Sequence, residues 1–373
     1  MRTLILLIVL ATIGLQSYGE DSNALASKEG QEDSEGAGEG PKIRFIESNG
    51  IRMRIAEMGK GPLVIFLHGF PTCWYSWKRQ LPAMAEAGYH AVAPDRRGIG
   101  ESDAPKGVEE YDVLKQARDI VGIIDALDEE TAIVVGHDSG AILAWYCAAL
   151  HPKRFSAVIM MSIPFPGRQD SPFVAGLRQQ LGESFHYILY FQEPDKPEAE
   201  LDSDPRGFLS GIIGFCSNVP KKDPEITDPR RSAGGLIPRL GAPERLPNWF
   251  AKEDLEYHVD AYKKSGFGGM LNGYRNLDRD WELTPQLAGH KLAQPTLFVG
   301  GENDHILVGF NGDIPTKERQ IAEQLRRGTD DLRGVHVIPN CRHFVQMEKA
   351  DESNRLILPF LNTVTKAQRS NGE

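Results

Sequence analysis

The chain has 373 residues, 40% of them hydrophobic and 25% charged, with a net charge of −10. This is an ordinary globular composition, long enough for one large domain with an elaboration or for two domains, and able to bury a sizeable core without staples. The acidic balance, with no concentrated basic stretch, argues against nucleic acid, because phosphates demand a cationic footprint; an uncharged small molecule is the expected partner.

The first elements read as addressing, not fold. Met1-Arg2 supplies a positive start, Thr3 to Leu15 is almost wholly apolar, and Ser17-Tyr18-Gly19 offers small residues at a cleavage site. Residues 1–19 are therefore expected to be a signal peptide that exports the protein to a periplasm or outside the cell. The apolar run is short for a stable membrane span, and an uncleaved N-terminal tether is the alternative. Residues 20–41, rich in Glu, Asp, Ser, Gly and Ala, read as a disordered linker. Cys73, Cys147, Cys216 and Cys341 show no metal spacing. Free buried thiols are expected, with Cys73–Cys341 the one bridge to test.

From Ile43 onward strand and helix signals alternate. Ile43–Ile46 and Ile51–Ala56 form a hairpin around Asn49-Gly50. Leu63–Leu67 is a wholly apolar strand of the kind buried on both faces of a parallel sheet. An amphipathic stretch at Trp77–Ala87, a strand at His90–Pro94, a helix at Val113–Leu127 and strands at Ala132–Val135 and Ala157–Ser162 follow. The alternation then breaks. From Pro164 to about Leu287 the chain is rich in Pro, Gly and charge, with helical pieces at Phe173–Gln180, Phe208–Ile213 and Glu253–Lys264. It resumes with Thr296–Val299, Thr316–Leu325, Val335–Ile338 and Glu352–Thr363. The pattern is a doubly wound α/β sheet over 42–163 and 288–366, interrupted by a helical lid over 164–287.

Gly136-His137-Asp138-Ser139-Gly140 closes one strand and opens a helix. Small-x-nucleophile-x-small in that context lifts the central side chain above the sheet. Centring the turn on Ser139 would put His137 where strand and helix nearly touch, so Asp138 takes the centre. A carboxylate nucleophile attacks an alkyl carbon and forms an ester, which water and a base must then break. The fold's order of nucleophile, acid and histidine points to Asp304, with Glu302 as fallback, and to His343 in the last strand-to-helix loop. His68-Gly69-Phe70-Pro71 offers the Phe70 amide to the oxyanion, and the Ser139 amide is the second donor. The loop Asp95–Ser102 reads as structural, its charges tying neighbouring loops together, and His137 as a packed neighbour.

Together with Trp74-Tyr75-Ser76-Trp77 and His343 followed by Gln346-Met347-Glu348, these segments resemble the epoxide hydrolases of the α/β-hydrolase superfamily, from about Ile43 to Leu361. The segments Tyr187–Pro194 and Leu271–Asn276 are similar to those in which that family places its paired lid tyrosines. The resemblance implies that Tyr187 and Tyr274 donate to the epoxide oxygen as general acids, with Tyr190 the alternative to Tyr187. His68, Trp74 and Tyr190 complete the candidate set as substrate contacts. One position departs from the family, where a large aromatic commonly follows the nucleophile: the small Ser139 is expected to leave room above Asp138. The implied reaction converts an epoxide and water to a vicinal diol and needs no cofactor or metal. A dehalogenase sharing the Asp-His-Asp set is the rival, with Trp74 or Trp145 as halide donors, and a catalytically silent receptor of the same fold is the non-enzymatic alternative. The sequence carries no signal of oligomeric state.

Overall fold

The structure, a computed structural model, describes residues 40–372. The expected signal peptide and all but the last two residues of the expected linker lie outside them. Eight strands make one sheet in the order β1-β2-β4-β3-β5-β6-β7-β8. The hairpin of β1 (Lys42–Ser48) and β2 (Ile51–Met58) turns through Asn49 and Gly50, at φ 49° and 78°. Both residues lie in the left-handed region that a two-residue hairpin turn selects. β2 pairs antiparallel with β4 (His90–Pro94). From there β3 (Leu63–Leu67), β5 (Ala132–His137), β6 (Phe155–Met161), β7 (Thr296–Gly301) and β8 (Leu332–Ile338) continue in parallel.

Alternate residues of each central strand feed opposite faces, which is why these strands are apolar throughout. Ile65, Leu67, Val134 and Val158 pack under the helices Val113–Ala126 and Ser139–Leu150. Val64, Phe66, Ile133 and Val135 pack under Gln80–Glu86 and Ala350–Gly372. The expected helix from Trp77 instead splits into a 3-10 turn, Trp74–Trp77, and a helix that begins at Gln80. Pro82, which has no N–H to give, suits only the first turn of that helix.

Between β6 and β7 the chain makes the helices Phe173–Leu181, Tyr187–Phe191, Lys196–Ser203, Pro205–Ser217, Lys252–Ser265, Gly268–Arg275 and Leu277–Leu283. Asp204 caps Pro205–Ser217 by accepting from Gly207 N, and Pro205 fills its first position. Several contacts seat this insertion on the sheet domain. Tyr257 stacks on Tyr75 with ring centroids 4.0 Å apart, and its hydroxyl accepts from Trp74 Nε1 at 2.8 Å and Arg54 Nη2 at 3.0 Å. Asp280 accepts from the Val113 amide at 2.8 Å. A third apolar cluster runs from Phe70 and Phe344 of the sheet domain into Phe191, Phe208, Leu236 and Tyr262 of the insertion.

All four cysteines are buried free thiols, so the Cys73–Cys341 bridge is not made. No helix of the described residues is long and apolar enough to cross a membrane.

Candidate active site

The elbow follows from three close approaches. A Cβ on Gly136 would lie 2.0 Å from the Gly140 carbonyl oxygen, and one on Gly140 would lie 2.2 Å from that of Leu67. Strand and helix can therefore meet only with glycine on both flanks. Asp138 is left at φ 54°, ψ −125°, a strained conformation of the kind held where function needs it. A Cβ on Gly69 would fall 2.4 Å from that of Asp138. Its absence lets the loop after β3 approach, and the Phe70 amide donates to Asp138 Oδ1 at 3.1 Å. The Ser139 amide opens the helix beside the same carboxylate.

His343 is brought to Asp138 by the loop after β8, three strands along the parallel sheet from β5. Its Nε2 lies 3.6 Å from Asp138 Oδ2, and its Nδ1 faces Asp304 at 3.1 and 3.2 Å. The His343 carbonyl accepts from His137 Nε2 at 2.8 Å and from Ser162 Oγ at 2.5 Å. His137 thus anchors the loop that carries His343. Burial works against a charged His343, but Asp304 and Asp138 outweigh it and hold its pKa above the ordinary imidazole value. Burial likewise opposes the Asp304 carboxylate, yet His343 brings it down to about 2. The acid is ionised and the base is oriented with Nε2 toward the nucleophile. Glu302, the fallback acid, instead accepts from the Asn340 amide.

Above Asp138 the insertion closes a cavity of about 610 Å³, part of it open to solvent. Tyr187 and Tyr274 line it, their ring centroids 6.0 Å apart and nearly perpendicular at 83°. Burial first, and then the Asp138 carboxylate, push both phenols above their ordinary pKa, so both are donors. Phe70, Phe191, Phe208, Ile212, Phe215 and Leu236 supply apolar walls. A carboxylate, a paired imidazole and two phenols thus face one space with mainly apolar walls.

Comparison with known proteins agrees with this geometry. Residues 62–187 match the family model for the alpha/beta hydrolase fold. Epoxide hydrolase A of Mycobacterium tuberculosis is 38% identical over 326 residues, covering 86% of this chain and 97% of that protein. The chain belongs to the epoxide hydrolase family. Epoxide hydrolase 1 of Siraitia grosvenorii is also 38% identical, with 85% and 96% covered. Among solved structures, Epoxide Hydrolase A from Mycobacterium thermoresistibile superposes with a TM-score of 0.77 at 37% identity, covering 86% of this chain and 98% of that one. An epoxide hydrolase from an endophytic Streptomyces gives 0.79 at 35%, with 88% and 97% covered.

Within this epoxide hydrolase, several expected contacts are placed elsewhere. His68 is fully buried beneath the site, donating to Gly69 O and accepting from the Arg96 amide, and does not line the cavity. Trp74 is outside it too, its indole N–H spent on Tyr257. Tyr190 turns away to donate to Glu200 at 2.8 Å and packs on Phe185. One helical turn separates it from Tyr187, and only Tyr187 faces the substrate space. The Ser139 side chain is not part of the cavity lining, and its Oγ accepts from Arg96 Nη1 at 3.0 Å. Arg96 also reaches His68 O and Gln116, while Arg97 forms a two-pronged pair with Asp119, so the charged loop does tie its neighbours together.

His305 and Cys216 line the cavity and were not singled out from the sequence. The only signal for His305 was its place beside Asp304. Asp304, His305 and His343 offer metal-ligand atoms within 4.8 Å of one another, but two of the three are already engaged as the carboxylate-imidazole pair.

Proposed function

We propose that this epoxide hydrolase opens its substrate by attack of Asp138 on a ring carbon while Tyr187 and Tyr274 hold the oxygen, and that His343, oriented by Asp304, then activates water against the resulting ester. The observation that carries the reading is the convergence of both tyrosines and Asp138 on one cavity. A phenol held in its neutral form is a donor that strengthens as alkoxide charge develops, which favours the transition state over the ground state. The ester oxyanion would rest on the Phe70 amide, already aimed at Asp138 Oδ1, and on the Ser139 amide. The apolar walls suit a substrate with a hydrophobic body. Trp74 and Trp145, the donors a dehalogenase reading would recruit, are committed to Tyr257 and to Gly328 O.

We place the catalytic domain at 42–163 and 288–366 and the lid at 164–287, and read residues 1–19 as an export signal. N-terminal sequencing of protein recovered from the producing cell checks the latter: cleavage after Gly19 is the expected result. A panel of styrene-type, fatty-acid and terpene epoxides, with fluoroacetate and a haloalkane as controls, tests the activity. Epoxides alone should be turned over. Replacing both Tyr187 and Tyr274 by Phe should remove ring opening, by roughly a thousandfold or more; unchanged turnover would overturn the assignment.

A further inference from the structure

We propose that His305 is a second histidine of the hydrolytic step, holding the attacking water through its Nε2 lone pair while His343 takes the water's proton. The inference rests on Asp138 being the esterified nucleophile. His305 opens the 3-10 turn His305–Leu307 directly after Asp304 and lines the same cavity as Asp138 and His343. Its ring centroid lies 4.8 Å from that of His343. Its Nδ1 is buried without a hydrogen-bond partner and sits 3.5 Å from Asp304 Oδ1. The side chain is nevertheless 28% exposed, so the accessible edge of the ring is the one bearing Nε2. Phe215 packs against the ring from the lid, with centroids 5.8 Å apart.

Those positions decide the tautomer. A neutral imidazole has one N–H and one lone pair. A lone pair on Nδ1 would face the ionised Asp304 carboxylate, so the proton belongs on Nδ1 and Nε2 is left as the acceptor. Burial first, and then the neighbouring His343, hold the pKa of His305 down at about 4, which keeps this ring neutral where the enzyme works. A water bound to His343 Nε2 donates one hydrogen there and has a second to place. Of the side chains that line the cavity, Phe208, Phe215, Leu236 and Phe344 accept nothing, and Tyr187 and Tyr274 are given to the ring oxygen. An unpaired O–H in such a space is unfavourable, and His305 Nε2 is a nitrogen acceptor that ring opening does not employ.

The step balances. The water oxygen bonds to Asp138 Cγ, and one proton passes to His343. The bond from Cγ to the alkyl oxygen breaks, and the departing alkoxide takes that proton to complete the diol. The second water proton, left on the new oxygen of Asp138, leaves through His343 as the carboxylate is restored and replaces the proton that a lid tyrosine gave to the ring-opened alkoxide.

The test is rapid-quench mass spectrometry of the intact enzyme, wild type against His305→Ala and His305→Gln, with the panel epoxide turned over fastest, starting from styrene oxide. In His305→Ala, alkylation of Asp138 should stay within about threefold of wild type. Hydrolysis of the ester should slow roughly ten- to a hundredfold, so that the ester accumulates. His305→Gln, whose amide oxygen can accept, should recover part of the rate. Wild-type ester hydrolysis in His305→Ala, or an equal fall in alkylation and hydrolysis in both variants, overturns the proposal, as does a change confined to KM. If the wild type itself forms no ester at Asp138, the nucleophile assignment fails and takes this inference with it. If the wild type forms it and His305→Ala does not accumulate it, only the role of His305 falls.

Discussion

Asp138, His343 and Asp304 divide the reaction between them in a way single substitutions separate. Asp138→Ala removes the nucleophile and should abolish turnover, by at least about a thousandfold. His343→Gln leaves ring opening intact and should trap the ester, seen as a mass increase of one substrate on Asp138. The pH profile follows from the pKa directions. His343 acts as a base only when neutral, and its pKa is raised, so kcat should climb with pH through a value above the ordinary imidazole figure of about 6.5. Asp304→Asn removes the larger of the raising influences. The acid limb of the kcat profile between pH 5 and 9 should therefore move to lower pH while the rate falls about a hundredfold. These three residues were legible in the sequence because each occupies a position with a grammar: a glycine-flanked elbow, the end of a late strand, the last loop. Tyr187 and Tyr274 were legible only through resemblance. The choice between Tyr187 and Tyr190 needed the helix Tyr187–Phe191, which alone decides which ring faces inward. His305 had no grammar at all; its place depends on how the turn after Asp304 folds back beside His343.

At the scale of elements, the elbow is the least forgiving piece of the molecule. Gly140→Ala should cost about 3 kcal/mol in urea unfolding, because its Cβ meets backbone atoms that cannot rotate away. Gly273→Ala, on a half-buried stretch of lid helix with nothing near a new Cβ, is the control and should be neutral or slightly stabilising. The parallel strands and the helices of the sheet domain could be read from periodicity, since buried strands are apolar runs and the helices between them have one apolar stripe. The lid could not. Its short helices Lys196–Ser203, Gly268–Arg275 and Leu277–Leu283 carry too few turns to show a period. Gly269 is there because the backbone of Gly98 passes close by, where a Cβ would lie 2.6 Å from the Gly98 carbonyl oxygen. Local propensity yields to that contact.

For the whole molecule, stability should carry a signature of how the lid is seated. Burial raises the pKa of Asp280 to about 8, against the lowering effect of the Val113 amide. A carboxyl whose folded pKa is raised contributes stability that is full below its unfolded value, near 4, and lost as pH rises through about 8. Asp280→Asn keeps an acceptor for Val113 and does not titrate. The difference in Tm between variant and wild type should therefore grow in favour of the variant from pH 4 to pH 8 and then level off; a constant difference would refute the account. The anchoring of the His343 carbonyl by His137 and Ser162 has a wider consequence. It binds the base to β5 and β6, the strands that carry and flank the nucleophile, so the machinery for breaking the ester belongs wholly to the sheet domain. The two phenols proposed to hold the ring oxygen, Tyr187 and Tyr274, belong wholly to the insertion. The groups that would hold the ring oxygen and the groups that break the ester therefore sit on separately replaceable parts, with Asp138 common to both steps, and exchange of the insertion should alter which rings are accepted more than how the bound product is released.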